Sequence, residues 1–495
     1  MRTSSLAILA LVVLGNLFIW GFFNRPEAVQ DWQGVIQGVS FSPYQDGQDP
    51  YQKHYPSLAE IDRDLALLKD KVRRVRSYSS GDGLEAIPRL AQQHGLRVTA
   101  GAWLDTRKDK NAEEIRNLIH NARHYTNVER LIVGNEVLLR GDLSVAQLTQ
   151  YLRQVRAATY VPVSTAEPWH VWIKHPELAK EVDYIAIHVL PYWEGVPADE
   201  AVSWALARYQ QVKAAFPGKP VVFGEVGWPS DGNRFKHAQA SLINQARFVR
   251  EFLHLAQREG LDYFIMEAFD QSWKKQAEGV VGRHWGIYDV DRQPKFAMTG
   301  TVIENPLWGW EAAVSALLAV LPITLFLLYW QHMRLRGQLF YAALLQTVMS
   351  VLSWTLFLPL TEDLLLLGQI VWGVLLPAQL ALLAVTLING LELSELIWAK
   401  RKRAFAPAQP APTAHLPKVS IHLPIHNEPP EMVKRTLDSL ARLDYPDFEV
   451  LVIDNNTQDA AVWQPVAAHC AYLGARFRFF HLPKWPGYKA GALNF

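Results

Sequence analysis

Val221-Val-Phe-Gly-Glu-Val-Gly-Trp-Pro229 is the stretch on which the reading of this chain turns. Its three leading apolar residues suffice for a short buried strand, and Gly224 lets the backbone turn at the strand's end. Glu225 then stands at the mouth of the sheet, with Trp228 close by. Upstream, Leu131-Ile-Val-Gly-Asn-Glu136 repeats the design. Two carboxylates at strand ends meet the minimum requirement for cleaving a glycosidic bond, an acid and a second group that is base or nucleophile. A single such glutamate is as easily a loop cap or a salt-bridge partner; two built alike favour chemistry.

Working outward, short apolar runs alternate with amphipathic stretches. The runs are Val35–Phe41, Val72–Ser77, Arg97–Ala102, Leu131–Val133, Val161–Thr165, Tyr184–Val189, Pro220–Phe223 and Tyr263–Met266. Helical patterns lie between them at Leu58–Lys69, Leu84–His94, Ala112–Tyr125, Val145–Ala158, Ala201–Phe216 and Ala238–Gln257. This alternation predicts an α/β fold, a (β/α)8 TIM barrel. An open doubly wound sheet usually shows a Gly-rich phosphate turn after its first strand, and Gly38-Val-Ser-Phe-Ser-Pro-Tyr44 offers none.

A barrel carries its chemistry at the C-terminal ends of its strands. Those ends supply Tyr44, Arg76, Tyr78, Trp103, Asn135, Glu136, Glu167, Trp169, His188, Tyr192, Glu225, Trp228, Glu267, Asp270 and Trp273. Carboxylates, amides and aromatics dominate, and His188 reads as a wall residue, so a site with neither metal nor cofactor is expected. Four glutamates, Glu136, Glu167, Glu225 and Glu267, compete for two roles, and spacing alone does not choose among them.

Gly134-Asn135-Glu136 together with Gly224-Glu225-Val226-Gly227-Trp228-Pro229 resembles glycoside hydrolase family 17, the β-1,3-glucanase family of retaining barrel enzymes. Ile185-Ala-Ile-His-Val-Leu-Pro-Tyr192, Glu267-Ala-Phe-Asp-Gln-Ser-Trp-Lys274 and His284-Trp-Gly-Ile-Tyr-Asp289 resemble its later motifs, so the likeness runs over roughly residues 33–300. The resemblance implies Glu136 as acid/base and Glu225 as nucleophile. It also implies Asn135 at the sugar 2-hydroxyl and Tyr192 hydrogen-bonded to the nucleophile. Tyr44, Arg76, His188, Trp228, Trp273 and Lys274 complete the expected substrate-binding set, with Glu167 and Glu267 in substrate-contacting or structural roles. One departure is Gln271, where the family often carries an acid.

The net charge of +1 and the lack of a basic, aromatic-interleaved stretch exclude nucleic acid as a partner. The single cysteine, Cys470, excludes an intrachain disulfide. Leu6–Phe23 is apolar and long enough to cross a bilayer, and Phe22-Phe-Asn-Arg25 lacks a small-x-small cleavage pattern. It reads as an uncleaved signal anchor, with a cleaved signal peptide as the alternative. Ala312–Trp330, Leu339–Leu360 and Leu364–Leu391 are three further spans. Arg334 and Arg336 lie in the first connection, Glu362 and Asp363 in the second, and Lys400-Arg-Lys-Arg403 after the last. The positive-inside rule then places the barrel outside and both termini inside, in a multi-pass protein.

Ala404–Pro417 reads as a linker. Beyond it, Lys418–Glu428, a helix over Glu431–Leu443 and Phe448–Asn456 form a strand–helix–strand unit. With Asp454 and Lys489-Ala-Gly-Ala-Leu-Asn494 this unit resembles the start of a family 2 glycosyltransferase. That likeness implies UDP-sugar binding through Asp454 and Lys489, and a divalent cation (Mg or Mn) in a complete domain. The later motifs of that family are absent, so a fragment of a longer protein is expected. The expected domains are therefore 1–30 (anchor), 31–305 (barrel), 306–398 (three spans), 399–417 (linker) and 418–495 (N-terminal part of the transferase).

The combination is similar to bacterial β-glucan synthase-like proteins, which implies an inner-membrane location with the barrel periplasmic and the transferase cytoplasmic. The expected function is a membrane-anchored enzyme that hydrolyses or transglycosylates β-1,3-glucan. A barrel that only guides glucan for the synthase is the alternative.

Overall fold

The computed structural model describes residues 3–361, 364, 366–399 and 416–495. The acidic Glu362-Asp363 connection, the Lys400–Arg403 cluster and most of the expected linker lie outside the described residues. The chain divides into two compact units, Met1–Lys400 and Arg401–Phe495.

In the first unit, helix α1 (Thr3–Phe23) leads into a two-residue strand β1 (Glu27–Ala28). The alternation expected above follows: β2 (Ile36–Phe41), α2 (Leu58–Leu68), β3 (Val72–Ser77), α3 (Ile87–Gln93), β4 (Arg97–Ala102), α4 (Lys108–His124), β5 (Val128–Asn135), α5 (Val137–Arg140), α6 (Val145–Ala158), β6 (Val163–Pro168), α7 (Trp169–Lys174), β7 (Ile185–Val189), α8 (Pro191–Glu194), α9 (Ala201–Ala215), β8 (Val221–Val226), α10 (Leu242–Glu259), β9 (Tyr263–Ile265) and α11 (Lys275–Glu278). Strands β2 to β9 close into a parallel barrel in sequence order. The helices start where the sequence caps them. Ser57 with Glu60, and Ser144 with Gln147, form capping boxes that satisfy backbone N–H groups the first turns of α2 and α6 would leave bare.

The outer core lies between strands and helices, for example Val75, Leu118, Leu131, Leu152, Ile187, Phe223 and Phe252. The opposite faces of the strands contribute a separate buried cluster of Ile132, Ala166, Tyr184, Ala186, Val222 and Phe264. Strict alternation breaks at the strand ends that matter. The ladder shifts register between Ile132 and Asn135, between Ile187 and His188, and between Phe223 and Val226. Such bulges re-aim side chains, and here they turn the polar ends of β5, β7 and β8 toward one point. Gly134, with φ of +85°, sits in the first of them, where an added Cβ would lie 2.5 Å from a Val137 methyl.

After the barrel, β10 (Thr301–Val302) pairs antiparallel with β1, so the two tethers of the barrel are zipped together. Buried Arg250 of α10 reinforces the zip, donating to the carbonyls of Val29 and Gly300 at 3.1 and 2.8 Å and to that of Ala297. Three long helices follow, α12 (Trp308–Tyr329), α13 (Leu335–Thr361) and α14 (Leu366–Trp398). With α1 they make four helices long and apolar enough to cross a membrane. Helix α1 packs into this bundle, Ile8 and Val12 lying against Ala319 and Ile323. Asn16 ties three helices: its amide donates to Ala312 O and Ser315 Oγ at 3.2 and 3.1 Å, and Ser350 Oγ donates to its carbonyl at 2.8 Å.

The second unit is a three-stranded parallel sheet, β11 (Val419–Ile425), β12 (Phe448–Asn455) and β13 (Phe477–Leu482), in that order. Its helices are α15 (Pro430–Ala441), α16 (Ala460–Leu473) and α17 (Tyr488–Leu493). Val450, Val452, Leu437, Val466 and Cys470 form its core.

Candidate active site

Glu225 ends β8 with its side chain inside the barrel mouth and only 4% of its surface exposed. Arg76, on β3 and fully buried, donates from one guanidinium nitrogen to Glu225 Oε1 at 2.8 Å and to Gly224 O at 2.9 Å. Its other terminal nitrogen donates to Asn135 Oδ1. The guanidinium lies 4.8 Å from the Tyr78 ring centroid, so the cation is lodged between a carboxylate and an aromatic face. Burial works to lift the Glu225 carboxyl. The charges of His188, Arg76 and Lys274, with the Arg76 hydrogen bond, outweigh it and hold Glu225 below the usual carboxylate range.

Glu136 comes from the residue after β5 and is the most open of the group. His188, on β7, joins the two: its Nδ1 is 2.7 Å from Glu136 Oε1 and 3.5 Å from Glu225 Oε2. The nearest ligating atoms of Glu136, His188 and Glu225 all fall within 4.8 Å of one another. By composition this trio could hold a metal ion, which the expectation of no metal cluster did not foresee. Arg76 and Lys274 already neutralise Glu225 from within, however, and Nδ1 of His188 is occupied by the carboxylates. The same geometry suits a pair of carboxyls facing one reacting atom.

The remaining expected site residues separate into those lining the cleft and those holding it. Trp273 is half-buried and flanked by Tyr44 and Tyr51, with ring centroids 5.7 and 5.9 Å away. Lys274 Nζ is 2.6 Å from Glu267 Oε1, and Glu267 is fully buried. Burial opposes the Lys274 charge, and Glu267, Glu278 and Glu225 together overcome that opposition, so the ammonium is held charged beside the nucleophile candidate. Glu278 was not singled out from sequence; its i, i+4 spacing from Lys274 was the available signal.

Five of the assignments require correction. Tyr192 does not reach Glu225: its hydroxyl donates to Asn233 O. Trp228 has no exposed surface; it packs against Phe248 and Tyr192, and its indole donates to Gln239 O at 3.1 Å. It is a wall of the barrel, and Trp285, equally buried, is another. Glu167 is also unexposed and accepts from the backbone N–H groups of Leu138 and Leu139 at 2.8 and 3.3 Å. Arg76 and Glu267, likewise without exposure, hold Glu225 and Lys274 in turn instead of meeting sugar. Gln271 explains its departure from an acid. Its amide donates to Ser42 O and Phe269 O at 2.7 and 3.2 Å, while its carbonyl accepts from Trp273 Nε1 at 2.9 Å.

A family model described as the BtgE/BtgC glycoside hydrolase domain matches residues 38–286, just over half of the chain. The chain belongs to this family. Curated relatives include a protein named probable glucan endo-1,3-beta-glucosidase btgC of Aspergillus clavatus, 28% identical over 300 residues, covering 54% of this chain and 43% of that protein. This chain thus spans less than half the length of its btgC relatives. Another relative, a protein named glucan 1,3-beta-glucosidase of Arthroderma benhamiae, is 27% identical, with 48% of this chain and 83% of that protein covered. A solved glycoside hydrolase family 17 β-1,3-glucanosyltransferase from Rhizomucor miehei is 30% identical, with 54% of this chain and 98% of that chain covered and a TM-score of 0.48. Each family motif quoted from sequence falls at the C-terminal mouth of the barrel or in the loops beside it.

The Glycosyl transferase family 2 model matches residues 420–495. In that unit Asp454 is buried at the end of β12, with Thr457 Oγ1 donating to it at 2.5 Å and His481 Nδ1 2.6 Å away. Lys489 lies exposed on α17. Asp454 thus braces the strand end internally, and Lys489 stands open on the neighbouring helix. A divalent cation, implied by the transferase likeness, finds no cluster of His, Cys and carboxylate ligands among the described residues of this unit.

Proposed function

We propose that the barrel is a retaining enzyme acting on β-1,3-glucan, with Glu225 as nucleophile and Glu136 as acid/base. The observation that carries the proposal is the approach of the two carboxyls, whose nearest oxygens lie within 4.8 Å. Retaining pairs stand about 5 Å apart, whereas inverting pairs are separated by roughly 6.5–9.5 Å to admit a water. The electrostatics agree in direction, because Glu225 is kept ionised and so ready to attack. The names of the curated relatives support β-1,3-glucan as the substrate.

In the first step a Glu225 oxygen bonds to the anomeric carbon as the glycosidic C–O bond breaks, and Glu136 gives its proton to the departing sugar oxygen. His188 holds Glu136 facing that oxygen. In the second step Glu136 takes a proton from water or from another sugar's hydroxyl, whose oxygen attacks the same carbon and releases Glu225. Water gives hydrolysis and a sugar hydroxyl gives transglycosylation.

The proposal extends to a membrane-anchored, multi-pass protein in which the barrel stands on the outer side and a nucleotide-sugar-using unit on the cytoplasmic side. Phe23 and Trp308, where the tethers join the bundle, belong to one end of it; Ser353 Oγ donating to Glu311 O at 3.3 Å sets the later half of α13 at that same end. The chain leaves α14 at the other end, where Trp330 Nε1 donates to Glu395 Oε1 at 2.9 Å and Met333 bridges Ala399.

The test is turnover of single-length β-1,3-oligosaccharides and of an activated aryl β-laminaribioside by the purified protein. Glu225→Ala is expected to abolish both, and azide to restore cleavage of the aryl substrate with formation of an α-laminaribiosyl azide. Products longer than the input would show transfer. Substantial activity of Glu225→Ala without azide overturns the assignment.

A further inference from the structure

We infer that Glu167 is a positioning residue for Glu136, acting as a remote cap on the turn that carries it. The inference rests on the assignment of Glu136 as acid/base.

Glu136 occupies the residue before the one-turn helix α5, with φ of +52° and ψ of +31°. This left-handed conformation costs a residue with a Cβ roughly 1 kcal/mol or more, and it persists only where neighbours enforce it. The position is an N-cap, where a side chain ordinarily accepts from the first exposed N–H groups of the helix. Glu136 gives no such cap, because its carboxyl is turned to His188. The capping duty falls to the neighbouring strand. Glu167, at the end of β6, accepts from Leu138 N at 2.8 Å with Oε1 and from Leu139 N at 3.3 Å with Oε2. Ala166 O, one residue earlier, accepts from Glu136 N at 2.8 Å. Two consecutive residues of β6 therefore grip three backbone N–H groups around Glu136.

The grip has a second side. Arg140, at the end of α5, donates to Asn135 O and, at 2.7 Å, to Leu104 O, and its guanidinium lies 4.3 Å from the Trp103 ring centroid. Between these two clamps the backbone of Glu136 has little freedom. A carboxylate is required at Glu167 because both oxygens accept; an amide of the same shape would present N–H to N–H at one of them. Glu167 has no exposed surface, so its contribution passes through Glu136 and not through sugar.

This role makes a prediction that a merely structural role does not. Departure of a natural sugar needs a proton from the acid, whereas departure of dinitrophenolate does not. Glu167→Gln is expected to lower kcat on laminarioligosaccharides by about 10–100-fold, a partial loss of the roughly 100–10,000-fold that a positioned acid contributes, with KM little changed. Formation of the glycosyl-enzyme from 2,4-dinitrophenyl β-laminaribioside, read as the pre-steady-state burst, should fall less than about threefold. Glu167→Asp, which keeps both acceptors on a shorter arm, should recover part of the loss. Glu136→Ala, measured alongside, must show the same dependence on leaving group. If it does and Glu167→Gln slows both substrates equally, the positioning role is refuted while the catalytic assignment stands. If Glu136→Ala itself shows no such dependence, the assignment of the acid fails first. Should Glu167→Gln not fold, Arg140→Lys provides the second variant: loosening the opposite clamp must produce the same selective loss, and an equal loss on both substrates refutes the inference.

Discussion

Replacing Arg76 by methionine would expose how the nucleophile candidate is kept ionised. Arg76 has no exposed surface, and its guanidinium is 2.8 Å from a carboxylate that is itself 4% exposed. Removing one member of a buried pair costs about 3–5 kcal/mol, because the remaining charge is stranded without solvent. The protein can escape part of this cost by protonating Glu225. In the native protein Glu225 lies below its unfolded value of 4.5, so it contributes stability above about pH 4.5 that is lost as pH falls. Without Arg76, burial acts against a weaker cationic field and the carboxyl rises. The stability deficit of Arg76→Met should then be largest at neutral pH and shrink toward acid, where the group is discharged. If protonation relieves about 3 kcal/mol, the acid limb of kcat/KM moves up by about 2 pH units. The measurement is the pH profile of kcat/KM on an aryl β-laminaribioside, paired with thermal unfolding of the same protein in detergent at acid and neutral pH. An acid limb that stays in place while activity falls evenly at every pH would refute this account of Arg76.

Two further outcomes can be checked independently. Gln271→Glu, which restores the acid common in the related motif, should destabilise the barrel by about 3 kcal/mol, since the carbonyls of Ser42 and Phe269 lose their donor and face a charge; a lowered melting temperature checks it. For topology, a phosphatase reporter inserted within Gly232–His237 should be active and one placed after Pro417 silent, and the reverse pattern would place the barrel in the cytoplasm.

The barrel was legible because most of its strands are buried on both faces and therefore read as apolar runs, six of the eight followed by a periodic helix. All eight were placed within a few residues; β5, β6 and β8 run further into their polar ends than the apolar runs show, and β5 also begins earlier, at Val128. Glu136 and Glu225 could be singled out because a glycine precedes each polar turn. The division of labour around them was not legible. Whether a strand-end residue faces the cleft or lies beneath it depends on register shifts that leave no mark in hydrophobic periodicity. Hence Trp228, Glu167 and Arg76 read as sugar contacts and Tyr192 as a partner of the nucleophile, whereas each is buried and holds a neighbouring element. Glu114 shows the same limit: it belongs to the amphipathic pattern of α4, yet it reaches back to accept from Ser80 N at 2.6 Å and Trp103 N at 3.2 Å, and burial pushes it up to about 7.

The pairing of β1 with β10 makes the barrel a body mounted at two points instead of one hung on a string. A single tether would let the cleft swivel through every orientation and sample polymer from all directions. Two tethers sewn to each other, and gripped by Arg250, remove most of that rotation and leave a short, twist-resistant neck. A protease that nicks one strand of the neck would leave the domain attached through the other. The cleft is thereby held in one orientation to the helices that begin and end the neck, so its heading is built into the backbone and not left to a hinge.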